Sequence, residues 1–156
     1  MKHNATSAAV RNSYGVHKGN ATALLSLCFI FAILFTSCAS LAPFSQVELA
    51  KITALKAESL DLMSRATSAF AGNKTSIDAL KARLNDAHLA AVAREKNESA
   101  AKQWAIMKDP AANLLGGFLA RWESRGTLSE TFVTEASKLV SSAFDQLIEL
   151  ENGRSR

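Results

Sequence analysis

Cys38 is the residue whose type and position most clearly suggest chemistry, because it closely follows a densely apolar segment. A cysteine thiolate is a nucleophile and can accept an acyl or alkyl group. The other cysteine, Cys28, lies inside the apolar segment, where we interpret it as a small hydrophobic residue. A chain cleaved just before Cys38 would retain no second cysteine, so the sequence predicts no intramolecular disulfide in that form.

Other residues capable of chemistry are few. Residues 38–156 contain one histidine, His88, and no tyrosine. No good metal ligand lies three or four positions from His88, and the sequence has no HExxH or CxxC motif. The serines lack a GxSxG motif and have no histidine base besides His88. We therefore expect no catalytic residue, no metal site and no cofactor, and hence a protein that is not an enzyme.

Residues 1–37 have the composition of an export signal. They carry three basic residues, Lys2, Arg11 and Lys18, and no acidic residue, and an apolar segment occupies positions 21–35. A basic start, about 15 apolar residues and small residues after them are typical of a cleaved signal. The apolar segment is shorter than the roughly 20 residues of a spanning helix. Because basic flanks stay in the cytoplasm, we expect the chain after residue 38 to lie outside it.

The residues at the end of this segment, Phe35-Thr36-Ser37-Cys38, resemble a bacterial lipobox, the recognition signal of lipoprotein processing. Thr36 and Ser37 match the small residues preferred there, whereas Phe35 stands where an aliphatic residue is usual. The resemblance implies that Cys38 is acylated, that the signal is cut before it, and that the new amino terminus is acylated. It divides the chain into a lipoprotein signal peptide, residues 1–37, and an exported domain, residues 38–156.

Two other fates of the leader stay open. A signal peptidase cut after Ala39 or Ala42 would release the protein, and an uncleaved segment lengthened by residues 36–43 would be a permanent anchor. In lipoproteins an alanine after the modified cysteine is compatible with the outer membrane. The resemblance therefore implies a bacterial cell-envelope protein, with the outer membrane facing the periplasm favoured over the inner membrane.

Charge is distributed evenly after the leader. The whole chain has a formal net charge of +4, but residues 38–156 contain 15 basic and 14 acidic residues. Nucleic-acid binding requires clustered Lys and Arg side chains to displace counterions. We therefore expect no nucleic-acid partner.

The exported domain has helical periodicity throughout. Ser45 and Glu48 form a capping-box pattern that begins a helix predicted to end near Gly72-Asn73, and Thr75 or Ser76 can cap the next helix. Asp109-Pro110 is typical of a further helix start. Thr127 and Glu130 form a second capping box before a broad apolar stripe that ends at Gly153. We predict an all-α, three- to four-helix up-down bundle whose third element is broken or short.

One segment combines glycines with aromatic residues. Gly116 and Gly117 precede Phe118 and Trp122, and Trp104 lies one segment earlier. Aromatic side chains beside a backbone that permits close approach could form a groove for a partner or ligand. The alternative interpretation, which we favour, is that the aromatic side chains belong to the core of a small bundle.

These observations lead to two functional hypotheses. The first is a lipid-anchored envelope protein, attached to the membrane by its N-terminal lipid, whose non-enzymatic bundle binds an envelope protein or supports envelope structure. The alternative is a periplasmic bundle that binds a small molecule or a lipid between its helices. The first depends on Cys38, and the second on the glycine–aromatic segment.

Overall fold

Helices account for nearly all of residues 42–155, the part of the chain that the computed structural model describes, and no strand occurs there. The five helices are α1 (Gln46–Ser64), α2 (Phe70–Ala93), α3 (Glu98–Lys108), α4 (Leu115–Arg125) and α5 (Glu130–Asn152). Short 3₁₀ turns follow α1 at Arg65–Thr67 and α5 at Gly153–Ser155. The prediction of an all-α bundle is confirmed. The leader, the lipobox residues and Cys38 lie outside the described residues.

The helices occupy four positions, because α3 and α4 together fill the place of one long helix. Gln103 of α3 bonds Gln146 of α5, whereas Phe118 of α4 stacks on Phe132, near the start of α5. Residue numbers therefore rise from α3 to α4 while those of their α5 partners fall, so the two short helices taken together run antiparallel to α5. This arrangement is the broken third element that the sequence predicts.

The first helix also runs antiparallel to the last. Ser45, before α1, bonds Glu151 near the end of α5, and Lys56 further along α1 pairs with Asp145. The predicted cap at the start of α1 is present, since the Ser45 hydroxyl accepts a hydrogen bond from the Glu48 backbone N–H at 3.3 Å. The helix therefore begins where the sequence indicates.

The predicted boundary between the first two helices is wrong. α1 ends at Ser64 and α2 begins at Phe70, so Gly72 lies in the first turn of α2 and neither Thr75 nor Ser76 is a cap. Tertiary hydrogen bonds fix the earlier break. The Leu128 N–H donates to the Ala66 carbonyl at 2.8 Å, and the Phe70 N–H donates to the Gly126 carbonyl at 2.8 Å. These distant partners outweigh the local stop signal.

Two other predicted boundaries also need correction. Ser129, rather than Thr127, is the N-cap of α5, and its hydroxyl accepts a hydrogen bond from the Phe132 N–H. Asp109 ends α3 instead of starting the next helix, and its carboxylate accepts a hydrogen bond from the Ala111 N–H at 2.8 Å. That side chain stabilises a turn, so α4 begins only at Leu115.

The break between α3 and α4 folds tightly against the start of α4. A Cβ atom on Gly116 would lie 2.3 Å from the Lys108 carbonyl oxygen, and one on Gly117 would lie 1.8 Å from the Ala112 carbonyl oxygen. Both distances are far inside van der Waals contact. The two glycines are therefore required by the approach of the chain's own backbone.

The apolar stripes of the predicted helices meet in one core. In α2 the apolar residues that recur every three or four positions from Ile77 to Ala91 are buried except for the half-buried Ala87. In α5 most of the broad apolar stripe is buried. Leu139 is an exception, with 57% of its surface exposed although the periodicity places it on the stripe. The buried apolar residues of these two helices are Ile77, Leu80, Leu84, Ala91, Val133, Val140, Ala143, Phe144 and Leu147.

Replacing either core glycine should destabilise the bundle. We expect Gly116→Ala and Gly117→Ala each to lower the free energy of unfolding by at least about 2 kcal/mol, since a clash with backbone cannot be relieved by side-chain rotation. Urea unfolding followed by circular dichroism measures the change.

Gly72→Ala is the matched control, because a Cβ at that position has no neighbour within 4 Å. It should leave stability unchanged or raise it by up to about 1 kcal/mol through helix propensity. Equal effects at the three glycines would contradict the close backbone approach.

Candidate functional site

The aromatic residues of the glycine–aromatic segment lie in the core. Trp104, Phe118 and Trp122 are all buried. The Trp104 ring packs edge-on against Phe144 with centroids 5.8 Å apart, whereas Trp122 packs edge-on against Phe70 at 5.7 Å. The Trp122 indole N–H also donates to the Ser68 carbonyl at 3.0 Å. The two tryptophans therefore serve different parts of the core.

Two surface cavities flank the glycines. The first, about 390 Å³, lies between the turn at residues 110–114 and α5, and is lined by Gly117, Phe118, Phe132 and Leu139 among others. The second, about 350 Å³, lies on the other side of α4 and includes Gly116 in its lining. Neither cavity is lined by Trp104 or Trp122. The five residues singled out in the sequence thus do not converge on one groove.

The first cavity has one cation at its edge. The Arg121 guanidinium lies 4.7 Å from the centroid of the Phe132 ring, in the geometry of a cation–π contact. Within residues 42–155 no carboxylate pairs with Arg121, and the Glu135 carboxylate at the same rim pairs with Lys138. The cavity therefore combines apolar walls with an accessible positive charge.

His88 is half-buried on α2, and its Nδ1 atom is buried without a hydrogen-bond partner. Burial lowers the pKa of His88, and the nearby positive charge of Lys108 lowers it further. Residues 42–155 contain no group of three or more His, Cys, Asp or Glu side chains arranged to hold a metal ion. His88 thus stands without ligating neighbours in the described part of the chain.

The most elaborate polar arrangement lies at the end of the bundle where residue 42 is found. We call this end the N-terminal pole; it comprises residues 42–48, the end of α2 with the α2–α3 connection (residues 92–97), and residues 151–154. At its centre is the Glu151 carboxylate, which is only 2% exposed. It accepts hydrogen bonds from the Ser45 backbone N–H at 2.7 Å, from Arg94 at 2.8 and 3.0 Å, and from Arg154.

The same cluster holds the segment that precedes α1. The Arg94 guanidinium also donates to the Pro43 carbonyl, and the Ala42 N–H donates to the Lys96 carbonyl at 3.1 Å. Lys96 adopts a positive φ of 59°, which turns the α2–α3 connection back toward this segment. Residues 42–45 are therefore fastened to the bundle as a strap.

Asn97 connects the cluster to α2. Its side-chain amide donates to the Ala91 carbonyl at 3.0 Å, while its side-chain oxygen accepts a hydrogen bond from Arg154. Asn97 is buried, so these bonds replace those it would make with water. The cluster thus joins the start of α1, the α2–α3 connection and the end of α5.

The charge state of Glu151 follows from these contacts. Burial by itself would raise the pKa of Glu151, but the hydrogen bonds from Arg94 and the Ser45 N–H, with the charges of Arg154 and Arg94, outweigh it. The net result is a pKa below the ordinary glutamate value. Glu151 is therefore ionised at neutral pH.

The capping-box pattern predicts the role of Ser45 as a helix cap, but no sequence pattern used above predicts the other members of the cluster. A signal for Glu151 was present, because it lies four residues after Leu147 and seven after Phe144, in register with the apolar stripe of α5. A carboxylate at a core position requires a buried partner. Arg154 lies only three positions from Glu151, whereas the approach of Arg94 is visible only in the folded chain.

Comparisons with protein-family models, with curated proteins and with solved structures find no match to this chain. Within residues 42–155, none of the helices combines the length and hydropathy needed to cross a bilayer.

Loss of the central carboxylate should weaken the N-terminal pole. We expect Glu151→Gln to lower the free energy of unfolding at neutral pH by about 3 kcal/mol, because it leaves Arg94 and the buried Arg154 without their counter-ion. Glu149→Gln, at an exposed position on the same helix, should change stability by less than about 0.5 kcal/mol.

This difference should depend on pH. Because the pKa of Glu151 is lowered on folding, its ionic contribution is fully present above the ordinary value of 4.5 and is lost as pH falls through the lower folded-state pKa. The stability gap between wild type and Glu151→Gln should therefore narrow below pH 4.5. A gap that stays constant down to acid unfolding would contradict the assignment.

Proposed function

We propose that this chain is a lipid-anchored protein of the bacterial cell envelope, attached through Cys38, whose helical bundle is non-enzymatic and acts in protein interaction or envelope structure. The observation that carries the proposal is the Phe35-Thr36-Ser37-Cys38 sequence at the end of an apolar segment with a basic start. A thiol at this boundary is suited to take the lipid that replaces the leader as the membrane attachment.

The described fold is compatible with loss of the leader. Ala42, only four positions after Cys38, is already buried, and α1 begins at Gln46. The strap is held by Arg94 and Lys96 of the α2–α3 connection and by Glu151 of α5, all of which lie C-terminal to Cys38. A cut before Cys38 would leave all of these contacts in place.

Interaction with another protein is supported by the surface. Val47, Leu89, Val92, Ile106 and Leu139 are large apolar side chains, each at least half exposed. Single exposed apolar residues are common, but Leu89 and Val92 lie three positions apart on α2 and are therefore neighbours on one face. Such a pair can contribute to the apolar centre of an interface. We propose an envelope protein as the partner and the periplasmic side of the outer membrane as the location.

The anchor can be tested by the intact mass of the protein recovered from bacterial membranes. We expect a chain that begins at Cys38 and carries acyl mass, and we expect Cys38→Ser to abolish that species and release the protein from the membrane fraction. An unlipidated chain that begins after Ala39 or Ala42, or an uncleaved chain, would refute the proposal.

A second candidate function, binding of a small amphipathic molecule, is supported by the cavity of about 390 Å³ beside Phe118. Its apolar walls suit a hydrocarbon chain, and the accessible guanidinium of Arg121 suits a carboxylate. Trp122 is a useful reporter because its ring centroid lies 6.4 Å from that of Phe118.

Titration with a medium-chain fatty acid should shift tryptophan fluorescence if this candidate is correct. Ala136→Phe should abolish the shift by filling the cavity, which Ala136 lines. Ala79→Phe, on an exposed position of α2, should retain it. An unchanged spectrum in the wild type would exclude fatty acids as ligands of this cavity.

A further inference from the structure

We propose that the N-terminal pole is a membrane-contacting surface that rests in the lipid headgroup region of the bilayer to which the protein is anchored. This inference rests on the proposed lipidation of Cys38 and adds to it which face of the bundle meets the membrane. It also assigns a role to the strap.

The short chain between Cys38 and Ala42 limits how far the bundle can lie from its anchor. Only Ala39, Ser40 and Leu41 separate Cys38 from Ala42. An extended chain spans about 3.3–3.6 Å per residue, so four steps cover at most roughly 14 Å. An anchor at Cys38 therefore keeps Ala42 within about half the thickness of a bilayer core from the lipid attachment point.

The strap prevents the tether between Cys38 and the bundle from becoming any longer. Ala42 is 1% exposed, and its N–H is bonded to the Lys96 carbonyl. Arg94 holds the Pro43 carbonyl, and Glu151 holds the Ser45 N–H. Releasing the strap would break these hydrogen bonds and expose the buried Ala42, so the short tether acts directly on the pole.

The N-terminal pole exposes two apolar side chains. Val47, the second residue of α1, is 63% exposed, and Val92, the last residue but one of α2, is 59% exposed. Both therefore lie in terminal turns at the end of the bundle nearest the tether. Exposed apolar side chains there can enter the interfacial region of a bilayer.

The charge of the pole also matches a surface held by a tether. Its basic residues are Arg94, Lys96 and Arg154, and its acidic residues are Glu48, Glu95 and Glu151. Because the two signs balance, the contact should depend on the tether and the valines, and it should persist at high salt.

Energy transfer to the bilayer tests this orientation. Mature lipidated protein, its acyl mass verified, carries a fluorophore on a single introduced thiol at Glu95→Cys, in the pole, or at Thr127→Cys, just before α5. Helix α5 has 23 residues, so its two ends are separated by roughly 30 Å. The protein is placed in vesicles of phosphatidylethanolamine and phosphatidylglycerol that contain a trace of acceptor-labelled lipid.

We expect strong transfer from position 95 and weak transfer from position 127, with the same contrast at low and high salt. Val47→Ser combined with Val92→Ser should reduce the contrast at least twofold. Ile106→Ser combined with Leu139→Ser removes exposed apolar side chains outside the pole and should leave the contrast unchanged.

Equal transfer from both positions, stronger transfer from position 127, or loss of contrast only in the Ile106 and Leu139 variant would overturn the inference. These outcomes differ from failure of the proposed function, which the mass would reveal first as a chain without acyl groups. A lipidated chain with equal transfer would keep the anchor and remove only the membrane-contacting pole.

Discussion

The buried carboxylate of Glu151 is the interaction on which the arrangement of the bundle depends. An ion removed from water costs several kcal/mol, and this cost is offset only when strong donors surround it. Here those donors come from three places in the chain: the Ser45 backbone, Arg94 and Arg154. Because the carboxylate cannot be left unpaired, the start of α1, the α2–α3 connection and the end of α5 must all meet at one point.

The opposite constraint operates where α3 meets α4. There no charge is involved, and the backbone of residues 108–112 approaches α4 so closely that only glycine fits at positions 116 and 117. The chain thus forms a third helix in two pieces, which together run antiparallel to α5. The break leaves a cavity on either side of α4, and one of them presents Arg121 beside an apolar wall.

These constraints bear on how the bundle would work at a membrane. A lipid attached through a flexible tail would let a small bundle tumble, whereas a strap hydrogen-bonded to Arg94, Lys96 and Glu151 transmits the position of the anchor to the helices. The ionic cluster at the N-terminal pole and the proposed lipid at Cys38 would then act together. The lipid would hold the bundle at the membrane, and the cluster would fix the orientation of the bundle there. The cavity beside Phe118 would remain free in that orientation, because the turn that forms it lies away from the pole.

Much of the fold was determined by the sequence alone. Helical propensity and apolar spacing indicated an all-α bundle with a broken or short third element, and Ser45 marked the first helix start. The lipobox resemblance at Cys38 is likewise a property of adjacent residues, and it stays a prediction. Such signals act over about one helical turn, which is why local patterns reveal them.

Only the tertiary structure decided the early end of α1, the exposure of Leu139 and the membership of the ionic cluster. Its hydrogen bonds join residues 57 and 106 positions apart, far beyond the range of a cap or a periodic stripe. Only the tertiary structure shows why positions 116 and 117 must be glycine, because the constraint comes from backbone packed against them. The position of Glu151 in an apolar stripe indicated that a partner was needed, and Arg154 lies only three positions away. Folding alone brought the distant Arg94 and the Ser45 N–H to the same carboxylate, because these groups are 57 and 106 positions from Glu151 in the chain.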